Sequence, residues 1–144
     1  MERTVLRMLD EAAEKWKDDP YALRKGDAGY EPVSFVEARE RAREFAAWLI
    51  GKGFRKDESL AVLGEGSPEW IIGEFGLIMA GCVSVPLSIK LLAEEIPFRL
   101  NHAECKAILT TKNQLEKVLG SFKDVDNKSI LVVYLDDDAE DART

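Results

Sequence analysis

Four short β-rich runs separated by helical stretches constrain this chain more than any other feature. They are "SLAVLG" from Ser59, "CVSVPL" from Cys82, "CKAILTT" from Cys105 and "SILVVYL" from Ser129. Strands separated by helices pair parallel through right-handed crossovers, because a tight hairpin cannot join them. The expected fold is therefore α/β: a partial doubly wound parallel sheet flanked by helices. Its strands are predicted near residues 59–63, 83–87, 105–110 and 129–135. Antiparallel pairing among them would overturn the assignment.

The helix joining the first two strands is predicted over residues 68–80. Ser67 is its N-cap, Pro68 takes the first helical position and Glu69 complements the helix dipole. Ile71, Ile72, Phe75, Ile78 and Met79 form one apolar stripe. Gly73 and Gly76 cost roughly 1 kcal/mol each against alanine in a helix interior. Close packing against the sheet is the expected compensation.

The first third of the chain follows a different rhythm. Val5, Leu9, Ala12, Ala13 and Trp16 recur at helical spacing behind a Thr4 cap, and Pro20 stops that helix. "YALRKGDAGYEPVSF" reads as a hairpin turning at Gly26-Asp27-Ala28-Gly29. Ser34 and Glu37 form a capping box for a second helix. That helix carries Phe35, Ala38, Ala42, Phe45, Ala46 and Leu49 on one face and ends at Gly51 or Gly53. The polar stretch "GKGFRKDE" then divides a helix–hairpin–helix segment, residues 1–53, from a βαβ Rossmann-like part, residues 57–144.

Bulk chemistry narrows the function. The 144 residues are 46% hydrophobic and 33% charged, ordinary for a globular domain, with a net charge of −7. That balance disfavours nucleic acid and anionic membrane as partners, since both select cationic surfaces. No apolar run reaches the roughly 18 residues of a membrane helix. "MERTVLRMLDEAAEKW" is amphipathic and acidic, unlike a secretory signal, so a cytoplasmic location is expected. Cys82 and Cys105 fit neither a metal site nor a disulfide framework and read as buried free thiols.

Gly64-Glu65-Gly66-Ser67-Pro68-Glu69 invites a phosphate-binding reading. A dinucleotide fingerprint needs a third glycine here, and Pro68 has no N–H to offer. Gly51-Lys52-Gly53 lacks the upstream glycine of a P-loop. His102, the only histidine, falls at a helix end, where a cap or solvent-facing role outweighs general-base chemistry. Asp136, Asp137 and Asp138 follow a strand and are candidate Mg²⁺ ligands, weighed against a solvated acidic tail. Lys90, Arg99 and Lys106 form no basic cluster, and Pro97 sits near a helix start. No catalytic, cofactor-binding or metal-binding residue is assigned.

The stretch "GSPEWIIGEFGLIMAGCVSVPLSIKLLAEEIPFRLNHAECKAILTT" resembles the N-terminal region of the AMP-forming acyl-CoA synthetases, within the adenylate-forming superfamily. The order of "SPEW", a helix ending "AG", a strand ending "VPL", then "AEEI" and "LNHAECKAI" carries the resemblance. Upstream, "VSFVEA" and "EKWKDDPYALRKG" also match the family's pattern. Ser88, Ile89 and Lys90 depart from the common form after "VPL", and the long-chain fatty-acid ligases are the nearest subfamily.

The resemblance implies a parent enzyme that uses ATP, Mg²⁺ and coenzyme A. A carboxylate attacks the α-phosphorus to give an acyl-adenylate and pyrophosphate, and the thiol then displaces AMP. It also implies that the phosphate loop, the ribose-binding acid and the mobile lysine lie beyond "LDDDAEDART". The chain is accordingly expected to be an inactive N-terminal fragment, and residues 1–53 to belong to a subdomain completed by later sequence. Truncation is expected to expose the face of Phe35, Ala38, Ala42, Phe45 and Leu49 and to favour a homodimer, unless the Thr4–Trp16 helix folds back over it. The alternative is a stand-alone, non-catalytic α/β binding or interaction module. A receiver-like version of that module is disfavoured by Gly64 and Thr110 at positions needing acids.

Overall fold

A computed structural model of the chain describes residues 3–136. In order these form α1 (Val5–Trp16), β1 (Pro20–Gly26), β2 (Gly29–Ser34), α2 (Phe35–Gly51), β3 (Ser59–Leu63), α3 (Pro68–Met79) and β4 (Val83–Pro86). A 3₁₀ turn (Ala93–Glu95), α4 (Ile96–His102), β5 (Ala107–Thr110), α5 (Lys112–Ser121), a second 3₁₀ turn (Phe122–Asp124) and β6 (Leu131–Tyr134) follow. The chain divides into two compact units. The first runs to Arg55 and takes in Gly66–Gly81; the second holds Lys56–Glu65 and resumes at Cys82.

The second unit contains the predicted sheet. Its strand order is β4-β3-β5-β6, and every pairing is parallel. Ser59 pairs with Val83, Leu60 with Ala107, and Ala107 with Leu131. Leu60–Leu63 and Ala107–Thr110 are fully buried without alternation, the mark of central parallel strands covered on both faces. Ala61, Leu63, Ile96, Leu100, Ile108, Val118 and Val125 form one core cluster.

Helix α4 ends in a defined cap. Here the amide of Cys105 donates to the Leu100 carbonyl at 3.0 Å and that of Glu104 to the Asn101 carbonyl at 3.1 Å. This is a Schellman cap, and its left-handed residue is Glu104, φ 51°, rather than glycine. The stop of α2 is the same motif with Gly53 at φ 94°, as the glycine pattern predicts.

In the first unit the three expected N-caps are present. Thr4, Ser34 and Ser67 accept from the amides of Arg7, Glu37 and Trp70, each at 3.1 Å. The Glu37 carboxylate lies 3.8 Å from Arg41. The hairpin turns between Gly26 and Gly29 as read, with Gly29 at φ 124°.

Two expectations are corrected in this unit. The sequence pattern predicts Gly76 packing on the sheet; instead α3 packs on α2. A Cβ at Gly76 would lie 2.4 Å from Phe45 Cδ1 and 3.1 Å from the Ala42 carbonyl oxygen. The second correction follows from the first. Ala38, Ala42 and Leu49 are buried and Phe45 half-buried, so the α2 face is covered and the argument for an exposed patch driving a homodimer lapses. Helix α1 also lies on α2, tied by Glu14–Arg39 at 2.8 Å and Asp10–Arg43 at 3.0 Å, with Trp16 against Phe35.

Glu69 does more than complement a dipole. It is only 8% exposed, and its carboxylate meets Arg24 of β1 and, at 3.5 Å, Arg41 of α2. One buried carboxylate thus joins hairpin, α2 and α3. Removing one partner of a fully buried pair costs about 3–5 kcal/mol. Arg24 and Arg41 are each about one-third exposed and can rehydrate, so Glu69→Ala is expected to cost about 2 kcal/mol. Urea unfolding measures this, and a loss below about 0.5 kcal/mol would refute the joining role.

Glu104→Gly should act in the opposite direction. A left-handed conformation costs an L-residue roughly 1–2 kcal/mol, and glycine's extra unfolded-state entropy returns about half of that. The expected net gain is about 0.5 kcal/mol, read as a higher urea midpoint at unchanged slope.

Candidate functional site

Doubly wound sheets hold ligands where neighbouring strands send their connections in opposite directions, outside the strands' carboxyl ends. Here that point lies between β3 and β5, since β3 leads to β4 on one side and β5 leads to β6 on the other. The residues that follow the two strands are Gly64-Glu65 and Thr111-Lys112.

The two strand ends are bound tightly to each other. Thr110 Oγ1 donates to the Leu63 carbonyl at 2.9 Å in a fully buried setting. A Cβ at Gly64 would stand 2.6 Å from the Thr111 methyl, so only glycine fits without displacing Thr111. Thr111 Oγ1 donates to Glu65 Oε2 at 2.5 Å, and Gln114 Nε2 donates to Glu65 Oε1 at 2.6 Å. Both carboxylate oxygens are therefore engaged. On the far side of β5, the Lys112 amide donates to Asp136 Oδ2 at 2.6 Å.

Partial burial pushes the Glu65 carboxyl up, but the hydrogen bonds from Thr111 and Gln114, with the Lys117 charge, outweigh it and hold the group below the usual carboxylate range. The arrangement does not fit a nucleotide phosphate. A phosphate needs free donors, whereas the hydroxyl and amide aimed into the crevice already serve Glu65. Pro68 adds no donor beyond the turn.

The other sequence candidates are not gathered at this point. His102 is exposed at the end of α4 and stacks on Phe98 with ring centroids 5.7 Å apart. Arg99 donates to the Glu95 carbonyl at 2.9 Å. Lys90 and Lys106 are exposed. Cys82 and Cys105 are buried, and burial pushes the Cys105 thiol up to about 11. Asp136 is engaged as above; Asp137 and Asp138 lie outside the described residues. Among the described residues no three His, Cys, Asp or Glu side chains could hold a metal ion, and no helix is long and apolar enough to cross a membrane.

Sequence reading gives Glu65 no role beyond its place in the Gly64–Glu69 turn. Its partners, 46 and 49 residues away, were invisible before the strand order was known. The signal within reach was a Thr-Thr pair ending one β-run and a carboxylate just past the end of another.

The fold defines the class: an α/β domain with a doubly wound parallel sheet. Within that class, the family model described as "AMP-binding enzyme" matches residues 9–144, and the chain belongs to that family. It is 32% identical over 119 residues to human long-chain-fatty-acid–CoA ligase 1, covering 78% of this chain and 17% of that protein. It is 28% identical over 137 residues to tyrocidine synthase 3 of Brevibacillus parabrevis, covering 95% of this chain and 2% of that protein. Among solved structures, a benzoate CoA ligase from Burkholderia xenovorans LB400 superposes with TM-score 0.80 at 18% identity, over 92% of this chain and 26% of that one. The chain thus spans under a fifth of the curated relatives named here.

The depressed acidity of Glu65 gives a signed pH dependence. Its stabilising effect is complete above the unfolded carboxylate range, near pH ~4.3, and is lost as pH falls through the lower folded value. Wild type should therefore lose urea resistance through that window faster than Glu65→Gln, which should be the less stable of the two at pH 7. Parallel pH profiles would show that the carboxylate is not the group responsible.

Proposed function

We propose that this chain is the N-terminal portion of an ATP-dependent, AMP-forming long-chain fatty-acid CoA ligase. The parent activates a carboxylate as its acyl-adenylate and transfers the acyl group to coenzyme A, with ATP and Mg²⁺ as co-reactants, in the cytoplasm. The observation that carries this reading is the family match over residues 9–144, together with the identity to a fatty-acid CoA ligase over more than three-quarters of the chain. The 144-residue chain alone is inactive in this reading. The Thr111 and Gln114 side-chain donors at its strand ends are committed to Glu65, and His102 is exposed at the end of α4.

A second reading has a specific observation behind it: the similarity to tyrocidine synthase 3 covers 95% of the chain, against 78% for the fatty-acid ligase. In that reading the parent is a peptide-synthetase adenylation domain, a class its superfamily includes, and needs no coenzyme A. The test is to express the reading frame through its natural stop and assay pyrophosphate release with ATP, Mg²⁺ and a panel of fatty acids and amino acids. Fatty-acid-dependent release, with CoA needed for turnover, is the expected result. Amino-acid-dependent release without a CoA requirement would favour the second reading. Turnover by rigorously purified residues 1–144 would refute the inactivity of the chain alone.

A further inference from the structure

We propose that α1 is a hinged strap, latched onto α2 by ion pairs and released by salt. This inference concerns the first unit alone and does not rest on the ligase reading. Three observations carry it.

The first is how little of α1 is buried. Of its twelve residues only Leu9 and Ala13 are buried, while Val5, Met8 and Trp16 are exposed. A core cluster of the unit joins Val33 of the hairpin, Ala38 and Ala42 of α2 and Ile72 of α3. One leucine and one alanine give α1 a small apolar anchor, so charge has a large share in holding it.

The second is a ladder of charges. Arg43 donates to Asp10 Oδ1 at 3.0 Å, and Arg39 donates to Glu14 Oε1 at 2.8 Å. Glu40 Oε1 stands between the two arginines, 3.2 Å from Arg39 and 3.0 Å from Arg43. Sign therefore alternates from Asp10 through Arg43, Glu40 and Arg39 to Glu14. A single exposed pair contributes little, but a network with several close contacts contributes more. Salt weakens such a network, because the screening length falls from about 30 Å at 0.01 M to about 3 Å at 1 M.

The third is a fixed end. Lys17, just past α1, has φ 36° and ψ −96°, a sparsely populated setting for an L-residue. Its carbonyl accepts from the Val36 amide at 3.1 Å, and the Asp19 carbonyl accepts from the Phe35 amide at 3.2 Å. Trp16 packs on Phe35 beside them. Main-chain bonds thus fasten this end to the start of α2, and the charge ladder holds the body of the helix. Opening swings the Thr4 end outward about Lys17. A freed helix of twelve residues is marginal in water, so opening also exposes its amides to exchange.

The test is amide hydrogen exchange on the ¹⁵N-labelled 144-residue chain at pH 7, in about 0.05 M and about 0.5 M NaCl. In wild type, amides of residues 9–16 are expected to exchange at least about fivefold faster in the higher salt, and those of residues 72–77 in α3 to change by less than about twofold. Asp10→Asn combined with Glu14→Gln removes both cross-helix pairs. These side chains are 48% and 72% exposed, so the fold tolerates the change. The α1 amides of this variant are expected to exchange in low salt at the wild-type high-salt rate and to lose the salt response. Arg39→Gln, the second variant, breaks one cross-helix pair and is expected to keep about half of that response on a logarithmic scale.

Unchanged α1 exchange in wild type between the two salts would overturn the proposal, because the latch would not be ionic. An equal response in α1 and α3 would also overturn it, because salt would then act on the whole unit. A full salt response retained in the double variant would overturn it as well, because other groups would then hold the strap.

Discussion

Everything in the sheet depends on β3 being paired on both of its edges. A strand with parallel neighbours on either side has all its backbone groups satisfied within the sheet and can afford no polar side chain on either face. Leu60, Ala61, Val62 and Leu63 meet that condition, and β5 repeats it with Ala107 to Thr110. The one polar exception, Thr110, returns its hydroxyl to the Leu63 carbonyl and so remains compatible with full burial. From this pairing follow the strand order, the opposed connections and the meeting of Glu65 with Thr111.

The first unit is organised by a different constraint, the closeness of two helix backbones. Helix α3 is strongly apolar yet carries Gly73 and Gly76, an expensive choice for helix propensity. The cost is offset where Phe45 and the Ala42 carbonyl of α2 occupy the space a Cβ at Gly76 would need. Close approach then brings Glu69 within reach of Arg41, while the hairpin supplies Arg24. A buried ion pair seldom adds much stability compared with an apolar substitute. Here one carboxylate meets two guanidinium groups, so hairpin, α2 and α3 share a single charge site.

Much of this was legible beforehand because local rules suffice for it. The caps at Thr4, Ser34 and Ser67 depend on residues three apart, and the four strands on short apolar runs. What periodicity could not reveal was which surface an apolar face meets. The stripe of Ile71, Ile72, Phe75, Ile78 and Met79 is the same whether it covers a sheet or a helix, and Gly76 was matched to the wrong partner for that reason. The Schellman turn at Glu104 escaped notice because its left-handed residue is not glycine. The Glu65 cluster escaped because its members are adjacent only after β3 and β5 pair.

Family membership and site chemistry separate cleanly in this chain. The motifs that place it among AMP-binding enzymes, "SPEW", "AGCVSVPL" and "LNHAECKAI", are occupied by caps, helix ends and strand starts. Ser67 caps α3, Glu69 gathers arginines, Gly81 at φ 83° closes α3, and the Cys105 amide completes the α4 cap. Each of these residues is fixed by a backbone geometry or a buried charge, neither of which tolerates casual substitution. A pattern can thus identify a family through residues that build its scaffold. The groups that would grip a triphosphate must be polar, convergent and free to change partners, and in the described residues such donors at the strand ends are already committed to Glu65 and Asp136.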